Sequence, residues 1–117
     1  MVLLDRQQLH RIIKRMAIQV IEKSRGHAVD LIGLNERGYA VAQQMYGFIS
    51  EAESNKVKLH QMVIDGETAP RTPEKLSREL VIVDDVIYSG STMFKALNAL
   101  PDLYAYEFVA VASVVDR

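Results

Sequence analysis

Three short runs in this chain read as apolar on both faces rather than on alternate residues. They are Val29-Asp30-Leu31-Ile32-Gly33-Leu34, Leu80-Val81-Ile82-Val83 and Phe108-Val109-Ala110-Val111-Ala112-Ser113-Val114-Val115. A strand with one wet face alternates, whereas one that is apolar throughout needs cover above and below, as parallel sheets wrapped by helices provide. A fourth stretch, from Lys56 to Ile64, alternates loosely through Val57, Leu59, Met62 and Ile64, which suits a strand nearer the sheet edge. Helical patterns fall between these runs, giving the order helix, strand, helix, strand, strand, helix, strand. The expected fold is therefore α/β: three layers, a mostly parallel central sheet with flanking helices, Rossmann-like in plan. At 117 residues the chain fits a single domain spanning 1–117.

The first helix carries its own start and stop signals. Asp5 is placed to cap it, Gln8 follows three residues later as in a capping box, and Leu4 and Leu9 can staple the entry. Leu9, Ile12, Ile13, Met16, Ala17, Val20 and Ile21 recur at helical spacing and predict the buried stripe. Gly26 suits a left-handed C-terminal position. A polar turn, Asn35-Glu36-Arg37-Gly38, precedes a second helix from about Tyr39 to Glu51, with Ala42, Met45, Tyr46 and Ile49 on one face. Residues from Asp65 to Glu79 have turn composition, a length more often functional than decorative in so small a domain. A third helix runs from about Thr92 to Leu100 and stops at Pro101.

Composition removes several function classes. With no cysteine there is no disulfide framework, no thiolate zinc site and no cysteine nucleophile. No apolar run reaches the roughly 18–20 residues of a membrane span, and Asp5 and Arg6 interrupt the N-terminal apolar residues where a secretory signal would continue. A cytoplasmic protein without a membrane partner is expected. A formal net charge of −1 lacks the basic excess of a generic nucleic-acid binder. Arg6, Arg11, Lys14, Arg15, Lys23 and Arg25 do cluster in the first helix, where solvation is the simplest explanation. His10, His27 and His60 are scattered, without spacing for a metal site or a catalytic base.

The chemistry concentrates in Leu80 to Thr92. A buried strand delivers Asp84 and Asp85 at its C-terminal end, and Tyr88, Ser89, Gly90, Ser91 and Thr92 then open a helix. Ligands of open α/β sheets bind beyond the carboxyl ends of strands, and a helix start favours an anion through its amides and dipole. Gly90 admits close backbone approach, and the hydroxyls of Ser89, Ser91 and Thr92 add donors. Carboxylates repel phosphate but accept from sugar hydroxyls or, through water, hold a divalent cation. A sugar phosphate satisfies both halves; a plain helix cap beside two solvated acids is the alternative. The sequence shows neither a P-loop nor a Gly-x-Ser-x-Gly elbow.

Asp84-Asp85 followed by Ser89-Gly90-Ser91-Thr92 resembles the phosphoribosyl pyrophosphate (PRPP) motif of type I phosphoribosyltransferases, with Ser89 in place of the first threonine. Asp5 through Arg37-Gly38 and the final Val115-Asp116-Arg117 are similar to the branch of pyrimidine-operon regulators with uracil phosphoribosyltransferase activity, so the resemblance covers nearly the whole chain. It implies that Asp84 and Asp85 hold the ribose hydroxyls and support a cationic ring, and that Tyr88 to Thr92 grip the 5′-phosphate. It makes Asn35, Glu36, Arg37 and Gly38 the pyrophosphate loop, with a non-proline cis peptide. It also implies Mg²⁺ on pyrophosphate and ribose oxygens, with Asp84 and Asp85 as indirect metal partners. The implied reaction transfers ribose 5-phosphate from PRPP to a base such as uracil, and a nucleoside monophosphate is the implied product ligand.

The chain departs from that pattern in three places. Glu36 stands where the regulators place threonine; the loop from Asp65 to Glu79 is short, with Arg71, Lys75 and Arg78 as its anion contacts; and Arg117 precedes the segment that forms the family's hood over the base. A homo-oligomer is expected, and a second subunit is one way to complete the site. The alternative is a non-catalytic nucleotide-sensing regulator that contacts RNA through the first helix. A receiver-like signalling domain fits less well, because there the acid pair follows the first strand.

Overall fold

A computed structural model describes residues 6–25, 27–52, 57–64, 79–87, 96, 98, 99 and 108–116. Helix α1 (Arg6–Ser24) leads into strand β1 (Val29–Leu34), helix α2 (Asn35–Ala52), and strands β2 (Val57–Met62), β3 (Glu79–Ile87) and β4 (Phe108–Asp116). The strands form one sheet in the order β2-β1-β3-β4, and every pairing is parallel. All six residues of β1 are buried, as the apolar run predicts, while β2 is an edge strand with a mixed pattern.

Side-chain alternation divides the interior into two cores. Val29, Leu31, Val57, Val81 and Val83 face α1 and α2, meeting Ile13, Ala17, Val20, Val41, Ala42, Met45 and Ile49. The expected stripes of both helices are thus the ones that bury, with Leu9, Met16, Ile21 and Tyr46 partly covered beside them. His10 and Phe48 join the two helices edge to face, with ring centroids 5.1 Å apart. On the other face, Ile32, Leu34, Met62, Leu80 and Ile82 pack with Ala96 and Ala99, which are helical. Helices on both sides of a parallel sheet give the expected three layers.

Local details differ from expectation in two ways. Helix α2 begins at Asn35, directly after β1, instead of following a separate polar turn. Asn35 turns the chain by adopting φ 55°, and Gly33 and Gly38 let the new helix lie against the strand ends. Strand β3 continues through both acids to Ile87, because β4 supplies ladder partners as far as Ile87↔Asp116. After α1, Arg25 takes the left-handed conformation, with φ 51°, and the His27 amide donates to the Ser24 carbonyl at 2.9 Å. The proposed cap at Asp5, the staple residue Leu4 and the Gly26 stop lie outside the described residues, as do Arg71, Lys75 and Arg78.

Candidate functional site

Chain direction through the sheet creates one reversal. From β1 the chain passes by α2 to β2 on one side, whereas from β3 it proceeds to β4 on the other. The β1/β3 boundary is therefore the topological switch point, where the connections diverge and leave a crevice beyond the strand ends. Pairing between the two strands stops at Gly33↔Val83, so β3 projects past β1 from Asp84 onward.

The first turn of α2 fills one wall of that crevice. A Cβ on Gly38 would lie 2.5 Å from the Val83 carbonyl oxygen and 3.3 Å from Asp84 Cα. A Cβ on Gly33 would meet the Tyr39 amide nitrogen at 2.7 Å and the Gly38 carbonyl oxygen at 2.9 Å. Only glycine permits this approach, and the approach sets the start of α2 beside Asp84. Leu34, Asn35, Glu36, Arg37 and Asp84 together line an open cavity of about 370 Å³. Asp84 is 8% exposed, while Glu36 and Arg37 are exposed.

Asn35 is held from the neighbouring strand. Its Oδ1 accepts from the Ile64 amide at 2.7 Å, and its carbonyl accepts from Gln61 Nε2 at 2.9 Å. The side chain most suited to capping α2 is thereby spent on the chain leaving β2. Helix-start amides lack intrahelical partners by construction, and the dipole makes this end electropositive. Arg37 adds a cationic donor, and Asp84 stands opposite as an acceptor for hydroxyl groups.

Of the residues singled out from sequence, Asn35, Glu36, Arg37 and Gly38 thus come together with Asp84. Asp85 follows Asp84 in β3. Tyr88, Ser89, Gly90, Ser91 and Thr92 lie outside the described residues. There is no cis peptide among the described residues, so the one made conspicuous by the resemblance is absent at 35–38, where Asn35 instead carries a positive φ. Sequence reasoning passed over Gln61, Ile64 and the close approach at Gly33; two glycines bracketing four residues after a strand were the available signal.

His60 also has a partner that its spacing does not reveal. Its Nε2 lies 2.5 Å from Oδ1 of Asp30, a side chain 1% exposed. The pair joins β1 to β2, and Asp30 is near the start of β1, whereas the crevice opens beyond its end. No group of three or more potential metal ligands occurs among the described residues. No helix among them is long and apolar enough to cross a membrane.

A doubly wound parallel sheet with a helix start and an acid at its switch point defines an α/β domain of Rossmann-like plan. The comparisons place it more narrowly. Residues 2–117 match the phosphoribosyl transferase domain, and the chain belongs to that family. It is 33% identical to the bifunctional protein PyrR of Herpetosiphon aurantiacus over 98% of this chain and 72% of the relative. The PyrR of Clostridium perfringens is 30% identical, with 98% and 73% covered. Among solved structures, a hypoxanthine-guanine phosphoribosyltransferase of Bacillus anthracis superposes with a TM-score of 0.78 at 16% identity, covering 98% of this chain and 70% of that one. A purine phosphoribosyltransferase of Pyrococcus horikoshii gives 0.76 at 20% identity, with 98% and 77% covered. The type I phosphoribosyltransferase fold is thereby established.

Proposed function

We propose that this domain binds PRPP, or a nucleoside monophosphate, at the β1/β3 switch point and transfers ribose 5-phosphate to a pyrimidine base such as uracil. The observation that carries the reading is the crevice itself, walled by the first turn of α2 on one side and Asp84 on the other. The helix start and Arg37 take the pyrophosphate; Asp84, with Asp85, takes the ribose hydroxyls; Tyr88 to Thr92 take the 5′-phosphate. In the reaction the bond from C1′ to the pyrophosphate oxygen breaks and a bond from C1′ to a base nitrogen forms. Pyrophosphate leaves with the bonding pair, and the proton of the base nitrogen passes to solvent. In this reading Asp84 is the carboxylate that steadies positive charge as it grows on the ribose ring.

Mg²⁺ fits the donors available, since it prefers carboxylate and phosphate oxygens and is commonly held by one or two carboxylates plus a substrate's phosphates. Asp84 and Asp85 would hold it, directly or through water, and when bound it neutralises charge on the departing pyrophosphate. Incubating the chain with PRPP, Mg²⁺ and uracil tests the reading by pyrophosphate release. Release that Asp84→Asn and Asp85→Asn each reduce at least tenfold supports it. Tight PRPP binding with no release for any base overturns the enzymatic part.

A second reading, a nucleotide-sensing regulator that contacts RNA, has one observation in its favour. Helix α1 exposes Arg6, Arg11, Lys14, Arg15 and Lys23 against a single acid, Glu22. RNA retention that collapses with rising salt, and falls in Arg11→Ala/Lys14→Ala/Arg15→Ala, supports this reading. Salt-independent retention contradicts it.

A further inference from the structure

We propose that Asn35 and Gln61 are positioning residues: a clamp from β2 that presets the start of α2 for a diphosphate group. The inference deepens the function proposed above and rests on it. A left-handed backbone is uncommon for a residue other than glycine and persists where the surroundings enforce it. Asn35 has φ 55° at the point where β1 becomes α2. Two hydrogen bonds enforce it, both from β2 and the residues just after it: Ile64 N–H to Oδ1 at 2.7 Å and Gln61 Nε2–H to the carbonyl at 2.9 Å. Both donors stand outside α2, so the bonds tie the first turn of the helix to the sheet edge without using its amides.

Asparagine has a specific advantage here. It tolerates the left-handed region better than most residues, and its amide oxygen reaches a neighbouring backbone donor. Were that oxygen turned inward as an N-cap, it would occupy the position an anion needs. The clamp therefore does two things: it holds the turn and directs the Asn35 amide oxygen away from the helix amides. Gly38 approaches Val83 and Asp84, and Gly33 approaches Gly38 and Tyr39, which fixes the same turn from the β3 side. A site held from both sides is preorganised for its ligand, and a displacement of about 1 Å at such a site can cost on the order of 100-fold in rate.

The test is calorimetric titration of the full chain with inorganic pyrophosphate plus Mg²⁺ and, separately, with ribose 5-phosphate. Asn35→Gly, which accepts the positive φ but lacks the acceptor, and Gln61→Met, which lacks the donor, are each expected to weaken pyrophosphate about tenfold. Both are expected to bind ribose 5-phosphate within about twofold of the unaltered chain, because in the reading above that ligand is held by Asp84, Asp85 and Tyr88 to Thr92. Asn35→Ala adds backbone strain and is expected to weaken pyrophosphate further; if it fails to fold, Asn35→Gly and Gln61→Met carry the test. Variants that bind pyrophosphate as the unaltered chain does overturn the clamp and leave the functional reading standing. Equal loss of both ligands also overturns it, since the bonds then support the fold generally. An unaltered chain that binds neither ligand overturns the functional reading and the clamp with it.

Discussion

Replacing Gly38 with alanine places a Cβ 2.5 Å from the Val83 carbonyl oxygen, where ordinary contact begins at 3.4 Å. The obstructing atoms are backbone in a central strand, so no side chain can rotate to relieve them. The start of α2 must retreat by roughly 0.9 Å, and overpacking of this kind costs about 1–3 kcal/mol. At about 2.1 cal/mol/K per residue, unfolding of a chain this size carries an entropy near 250 cal/mol/K, so 1 kcal/mol is about 4 °C. Gly38→Ala is expected to melt about 4–12 °C below the unaltered chain and to bind PRPP at least tenfold more weakly. Gly47 supplies the internal control, because the same substitution there, within the same helix, meets nothing within 4 Å. Gly47→Ala gains about 0.5–1 kcal/mol from helix propensity alone and should raise the melting temperature by about 2–4 °C. Thermal unfolding followed by circular dichroism reads both. If Gly38→Ala melts at or above the unaltered chain, α2 does not approach β3 as described, and the crevice loses its wall.

Three further substitutions separate structural from functional charges. His60→Leu removes a hydrogen-bond partner from the buried Asp30 side chain and is expected to lower unfolding free energy in urea by about 1–3 kcal/mol; a loss below about 0.5 kcal/mol contradicts a buried hydrogen bond. Glu79 differs, since its Oε2 is buried without a hydrogen-bond partner among the described residues and its Oε1 meets only the mostly exposed His27, at 3.3 Å. Such a screened contact contributes little, so Glu79→Met should leave stability unchanged or raise it by up to about 2 kcal/mol; a clear loss would show the carboxylate is needed. Glu36→Gln removes an exposed acid from the rim of the crevice. It should tighten pyrophosphate about two- to fivefold at low salt without Mg²⁺, with the gain shrinking as salt is added; weaker binding would place Glu36 among the ligand's supports.

The layer plan was legible because continuous apolar runs and helical stripes are local patterns. Leu31, Ile32, Leu80 and Ile82 had to be inside whatever their neighbours, and Ile13, Ala17, Met45 and Ile49 mark helix faces at fixed spacing. The acid in the central strand was legible for the same reason: Asp84 breaks an apolar run at the edge of the crevice. What escaped was the register between distant segments. Asp30 and His60 meet because β1 and β2 pair in parallel, and a separation of 30 positions in sequence hides that. Asn35 reads as a turn residue from sequence, and only Gln61 and Ile64, brought alongside by the same pairing, reveal why it stays left-handed. The end of β3 was placed too early because its last residues are paired only on the β4 side.

Amide chemical-shift mapping by nuclear magnetic resonance, with PRPP and Mg²⁺ titrated into the isotope-labelled chain, addresses the ligand site most directly. Saturable changes concentrated at Glu36, Arg37, Gly38 and Asp84, and lost in Asp84→Asn, are the expected result. Saturable changes that leave those four amides untouched and gather elsewhere would contradict a ligand seat between α2 and β3.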